Sequence, residues 1–167
     1  MATAHLIHGY LGTGKTSFAR TIERRVDGIR FSVDEWYLRL YAGGEPTAHL
    51  EPAWWNRVLA MLDEIWPKVL HHGVDVVLDF GFWSRQLRED TRRLALSVGG
   101  EIKLYRLTCN EDVARARCLG RNVNPGDAFV IDVLAFDALR EKFEPVGADE
   151  PHELIDTTPA HSGEGCL

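Results

Sequence analysis

The 167-residue chain carries 19 Lys+Arg against 25 Asp+Glu, a net charge of −6, with 45% hydrophobic and 10% aromatic residues. That is the composition of one globular domain with room for a core; it argues against disorder and against the basic field of a nucleic-acid or anionic-membrane binder. Cys109, Cys118 and Cys166 are odd in number and lack C-x-x-C spacing, which argues against a disulfide framework or zinc site; with no leader-like or bilayer-length apolar run, a soluble cytoplasmic protein is expected.

Apolar, β-prone runs alternate with segments of helical period, the pattern of an α/β parallel sheet covered on both faces by helices. The first predicted strand, AHLIH (4–8), runs into GYLGTGKTSF and the helix-like TSFARTIERR. IRFSV (29–33) is the second, followed by a turn-rich stretch over 41–52. Trp55, Leu59, Leu62 and Trp66 then recur at helical spacing before the third strand, VDVVLDF (74–80). Ser84 is a candidate N-cap for a helix carrying Leu87, Thr91, Leu94 and Val98. After IKLYRL (102–107), Asn110 can cap a helix running to about Leu119, and 120–127 has no assignment. Ile131, Leu134 and Ala138 mark one more helix, which ends before Pro145. HELID (152–156) closes the pattern, and 158–167 reads as a flexible tail.

Gly9, Gly14, Lys15 and Thr16 satisfy G-x-x-x-x-G-K-[ST] in the required setting, between an apolar strand and a helix. Successive backbone amides over Gly12, Thr13, Gly14, Lys15, Thr16 and Ser17, together with the helix N-terminus, form a nest for nucleotide phosphates. In such a loop Lys15 bridges the β- and γ-phosphates of ATP, and the Thr16 hydroxyl is a ligand of Mg2+.

Ligands of open α/β sheets bind at the carboxyl ends of the strands, and two of those ends carry Asp. Asp34 follows the second strand and Asp79 ends the third; either residue type also serves as a helix N-cap. Asp79 is followed by Phe80, so the Glu that orients water in hydrolytic motors is missing, and no N-K-x-D motif is present. Transfer to an acceptor hydroxyl is the simpler reading, with Asp34 orienting or taking its proton. Two other classes stay open: a 5′-kinase acting on a nucleoside or RNA end, and a nucleotide-binding switch ATPase that transfers nothing.

Arg117 and Arg121 are four apart, so on a helix they share a face and can close over a triphosphate, whereas Arg115 points elsewhere. With the Gly- and Pro-containing stretch after them they read as a lid over about 117–128. Arg85 and Arg88 follow the third strand and are candidates to hold substrate or phosphate, or are surface charges. The acceptor region is expected over about 36–60, where Trp36, Tyr37, Tyr41, Trp54 and Trp55 could stack on a ring or pack a helical subdomain, with Glu45, His49 and Glu51 nearby. Adjacent His71 and His72 suit a helix end better than a metal site, and His8 precedes the loop as a packing or hydrogen-bonding group.

Taken together, GYLGTGKT, SVDEW, LDFGFWSRQLR, the Arg117/Arg121 pair and FEPVGADE resemble the P-loop kinases of the AAA_33 group, over nearly the whole chain. That group is similar to zeta toxins and chloramphenicol phosphotransferase, which pass the ATP γ-phosphate to a small-molecule hydroxyl. The resemblance implies a three-layer, five-stranded parallel sheet of order 2-3-1-4-5 and a kinase domain over 1–157. It also implies that Asp34 is the base, that Arg117 and Arg121 contact phosphates, and that FEPVGADE lies beside adenine. Asp79 matches a carboxylate near metal or substrate.

Overall fold

The computed structural model describes residues 1–41, 51–126 and 128–159. In chain order the elements are β1 (Thr3–His8), α1 (Lys15–Val26), β2 (Ile29–Ser32), α2 (Val33–Tyr41), α3 (Pro52–His71), β3 (Val76–Gly81), α4 (Arg85–Ser97), β4 (Glu101–Thr108), α5 (Glu111–Arg121), α6 (Val133–Ala138), a 3-10 turn (Leu139–Lys142) and β5 (Glu153–Asp156). The strands form one sheet of order β2-β3-β1-β4-β5, with every neighbouring pair parallel. This is the expected order, and β1 lies at its centre.

The period-2 alternation of each strand sorts the core into two layers. Leu6, Phe31, Leu78 and Leu104 face Val58, Leu62, Trp66 and Leu70 of α3 and Ala95 of α4. Ile7, Val77, Tyr105 and Leu107 face Ala19 and Ile22 of α1. β1 and β3 are therefore buried on both sides, which is why they read as near-continuous apolar runs.

The predicted caps form: Ser84 accepts from the Leu87 amide at 3.2 Å and Asn110 from the Val113 amide at 3.2 Å. α3 ends at His71 with His72 as its cap residue. Boundaries differ modestly from the sequence reading. Val33 opens α2 instead of ending β2, and α5 continues to Arg121. Thr158, placed in the tail by the sequence, accepts a hydrogen bond from the Asn110 amide at 2.9 Å and so belongs to the β4–α5 joint. Glu45, His49, Cys166 and most of the predicted tail lie outside the described residues. No helix among the described residues is long and apolar enough to cross a membrane.

Candidate active site

The loop after β1 turns at the carboxyl edge of the sheet. Gly12 (φ 73°) and Gly14 (φ 83°) take left-handed conformations that L side chains rarely adopt. A Cβ at Gly12 would strike the Ala114 carbonyl, so the loop passes directly against the backbone of α5. Gly14 caps α1 without any side-chain hydrogen bond, which leaves the positive helix end for an anion. The Tyr10 carbonyl gathers the loop, accepting from the Thr13 hydroxyl at 2.8 Å and from Lys15 Nζ at 2.9 Å. Below it Tyr10 stacks on Trp83 (5.4 Å) and meets Phe136 and Phe143 edge-on, and Trp83 Nε1 donates to the Gly9 carbonyl at 3.0 Å. This aromatic bed fixes the height of the loop over β3.

The carboxylates converge beside it. Thr16 acts on the Asp79 carboxyl from the loop side, and Asp79 Oδ2 accepts from Arg30 Nη1 at 3.1 Å. Arg30 Nη2 in turn binds Glu35 Oε1 at 2.5 Å, and Arg20 reaches the same oxygen at 3.2 Å. Asp34, in the first turn of α2, is half-buried. Burial, and secondly the negative charge of Asp79, push its carboxyl up to about 6 against the pull of Lys15 and Arg121. Burial also raises Asp79, opposed by Lys15, Arg30 and Thr16. Lys15 is lowered by burial against the attraction of Asp79 and Asp34. Lys15, Asp34, Asp79 and Arg121 thus share one electrostatic neighbourhood, assembled from the loop after β1, α2, β3 and α5.

The remaining predicted residues divide. Arg117 donates to the Thr157 carbonyl at 3.0 Å, and the Thr157 hydroxyl reaches the Thr13 carbonyl at 2.9 Å, so Arg117 sits at the outer wall of the phosphate loop. Arg121 donates to the Phe129 carbonyl at 3.3 Å, and the Asn122 side chain closes the same loop by bonding both backbone groups of Ile131. Arg115 does point elsewhere, to Asp137 and over the Phe136 ring. Ser17 is exposed and Trp36 is half-buried against the core.

Three expectations are corrected. Arg88 is buried, and its five N–H donors are spent on both Glu150 oxygens and the carbonyls of Phe82, Glu144 and Pro145. Arg85 is held by Asp149 at 2.6 Å and Glu89 at 2.7 Å. Both arginines therefore anchor the segment before β5, and Arg88 has no donor left for a substrate. Tyr37 is a core residue, 1% exposed, with its hydroxyl accepting from the Glu51 amide at 2.7 Å; its ring packs on Trp55 and Phe129, which fills the space a stacked acceptor would need. The FEPVGADE segment is tied to Trp83, Arg85 and Arg88 and reaches the loop after β1 through Phe143, edge-on to Tyr10, while Thr157, just after β5, touches the same loop at the Thr13 carbonyl.

Sequence reasoning missed Arg30, Trp83 and Thr157. Arg30 did leave a signal, a lone charge between Ile29 and Phe31 inside a strand, where a side chain on the buried face requires partners. A cavity of about 530 Å3 between the C-terminal halves of α3 and α4 lies at the amino edge of the sheet, and none of the predicted site residues lines it.

A family model described as an AAA domain, AAA_33, matches residues 5–146. The chain belongs to the AAA_33 family. AAA_33 thus spans the sheet from β1 to β4, both site carboxylates and helix α5. Among solved structures, a candidate kinase from Chloroflexus aurantiacus superposes with TM-score 0.74 at 18% identity, over 94% of this chain and 89% of that one. Kti12 from Chaetomium thermophilum, solved with ADP-AlF3, gives 0.71 at 15% identity over 92% and 89%. A gluconokinase from Sinorhizobium meliloti gives 0.65 at 18% identity over 92% and 82%. At these identities the likeness is one of fold, and the fold is that of P-loop kinases. No curated protein matches the chain.

Proposed function

We propose that this AAA_33 protein is an ATP-dependent kinase that transfers the γ-phosphate of Mg-ATP to a hydroxyl of a small molecule. The observation that carries the reading is the glycine loop whose helix end is left uncapped beside Lys15, with Asp79 and Asp34 in the same electrostatic neighbourhood. Two of the similar folds support it, one by being a gluconokinase and one by being solved with ADP-AlF3.

In this reading the amides of Gly12 to Ser17 and the Lys15 ammonium hold the phosphates. The donors available to a divalent cation are the Thr16 hydroxyl and the Asp79 carboxylate, both hard oxygens that suit Mg2+. Among the described residues no group of three or more His, Cys, Asp or Glu could hold a metal ion, and Mg2+ carried with phosphates needs no such cage. When bound, Mg2+ neutralises the charge developing on the phosphoryl oxygens. Asp34 accepts the acceptor's hydroxyl proton, and a carboxyl near 6 is matched to that work. Arg117 and Arg121 must exchange their present carbonyl partners for phosphate oxygens, so the segment over about 117–128 acts as the lid. The acceptor enters over α2 and the start of α3, within 36–60.

The test is acceptor-dependent ADP release from Mg-ATP across aminoglycosides, other antibiotics, sugars, nucleosides and 5′-hydroxyl oligonucleotides, with Asp34→Asn alongside. A phosphorylated small-molecule product that Asp34→Asn fails to make supports the reading. Phosphorylation of oligonucleotide ends only, or tight ATP binding with slow turnover and no acceptor, overturns it in favour of an RNA-end kinase or a nucleotide switch.

A further inference from the structure

We infer that Arg30 is a positioning residue for the metal-holding carboxylate, clamping Asp79 in the orientation that presents it to Mg2+ beside Thr16; the inference rests on the kinase reading above. Arg30 lies in β2, on the side of the sheet that faces α1, and its side chain is 9% exposed. Ser32 is the strand partner of Asp79, so Arg30 lies two residues back along the same face and its guanidinium runs forward to Asp79 Oδ2, 3.1 Å away.

The fork is fixed on its other arm as well. Nη2 holds Glu35 Oε1 at 2.5 Å, Nε faces Glu23 Oε2 at 3.7 Å, and the Arg30 amide donates to Glu23 Oε1 at 3.1 Å. One planar guanidinium therefore joins α1, α2 and β3, and its orientation is set by groups that do not touch the phosphate loop. With one oxygen of Asp79 held by Arg30, the carboxylate cannot rotate freely. The charges favour the same role. Asp79 and Glu35 are both 15% exposed or less in their side chains and share Arg30 as counter-ion, so without it Asp79 would lose its fixed partner and gain freedom to swing toward Lys15. A purely structural buried pair is replaceable by apolar groups at little cost; a clamp on a metal carboxylate is not, because outer partners of ligating groups typically carry about 10- to 100-fold in metal affinity.

The experiment is calorimetric titration of ATP into the full chain with Mg2+ and with chelator, for wild type, Arg30→Lys, Arg30→Met and Glu35→Gln, with melting temperatures alongside. The expected result is that Arg30→Met keeps its metal-free ATP affinity within about 3-fold of wild type while its Mg2+ enhancement falls about 10- to 100-fold. Arg30→Lys, which keeps charge but not the fork, falls in between, and Glu35→Gln, which loosens one arm of the fork, loses less than Arg30→Met. Should Arg30→Met fail to fold, Arg30→Lys decides. Full Mg2+ enhancement in a folded Arg30 variant overturns the inference, as does an equal loss in Glu35→Gln, which would place the effect in the packing of α2. A wild-type chain with no Mg2+ enhancement overturns the kinase reading itself, a different result from either.

Discussion

Thr16, in the first turn of α1, acts on the carboxylate of Asp79 at the end of β3 and opposes the rise that burial causes there, so the loop after β1 and the third strand meet at this pair. A cation seated there takes one ligand from each element. Thr16→Val keeps the shape and removes the hydroxyl, and with it that ligand. We expect it to lower Mg2+-dependent ATP affinity by about 10- to 100-fold while leaving metal-free binding close to wild type. Titrating Mg2+ at fixed ATP, with tryptophan emission from Trp83 beneath the loop as the signal, measures both.

Lys15 makes its present hydrogen bond to the Tyr10 carbonyl, a weak neutral acceptor that a phosphate displaces. Lys15→Met removes a charge-assisted bond worth about 1.5–3 kcal/mol, so ATP affinity should fall about 10- to 150-fold in calorimetry with the melting temperature nearly unchanged. An unaltered affinity would take Lys15 out of the phosphate site.

Asp34→Asn separates binding from transfer. The base is lost, so acceptor-dependent turnover should fall by about 100- to 10,000-fold while ATP affinity stays within a few-fold. Wild-type kcat/KM should decline below about pH 6, because the carboxylate form is the active one and burial and Asp79 raise its pKa to about that value. The stability sign runs the other way. A carboxyl raised in the folded state takes up protons more readily than the unfolded chain, so it costs stability as pH rises through 4 to 6. Asp34→Asn should therefore melt higher than wild type at pH 7. A lower melting point would mean that Asp34 stabilises the fold.

The loop between β1 and α1 was legible because its signal is local: a glycine spacing, a lysine and a threonine between a strand and a helix. β1 and β3 were legible because burial on both faces demands apolar runs. Arg85, Arg88 and Tyr37 were misread because their type suits a site, and only tertiary packing reveals that Arg88 has spent every donor and that Tyr37 is covered by Trp55 and Phe129. Arg30 and Thr157 were missed for the complementary reason. Each acts on a residue 49 or 144 positions away, a relation that no local period encodes.

Gly12 tests the seating of the loop on α5. Its φ of 73° and the Ala114 carbonyl where a Cβ would stand make any side chain a double conflict, of conformation and of space. Gly12→Ala should lower stability by about 1–3 kcal/mol and weaken ATP binding together with it, since loop and helix must part. Circular-dichroism melting and nucleotide titration on the same sample check this; full stability with weakened binding would mean that the loop can shift without disturbing α5.

Arg88 and Glu150 carry the last prediction. Arg88 is buried, binds both oxygens of Glu150, and holds the β3–α4 turn through the Phe82 carbonyl, which also accepts from His8 Nδ1 at 3.0 Å. Arg88→Met leaves Glu150 without its counter-ion and should cost about 3–5 kcal/mol, a drop of about 10 °C in Tm for a chain of this size. The Arg88 hydrogen bonds hold the Glu150 carboxyl down at about 2 against its ordinary 4.5. A depressed carboxyl contributes stability that is complete above its unfolded value and is lost as pH falls toward its folded one, so this contribution disappears between about pH 4.5 and 2. Glu150→Gln lacks the titrating group. Its Tm, lower than wild type at pH 7, should fall less steeply between pH 5 and 3, and the two curves should converge; parallel curves over that range would mean that the Glu150 carboxylate adds no charge-dependent stability to the Arg88 anchor.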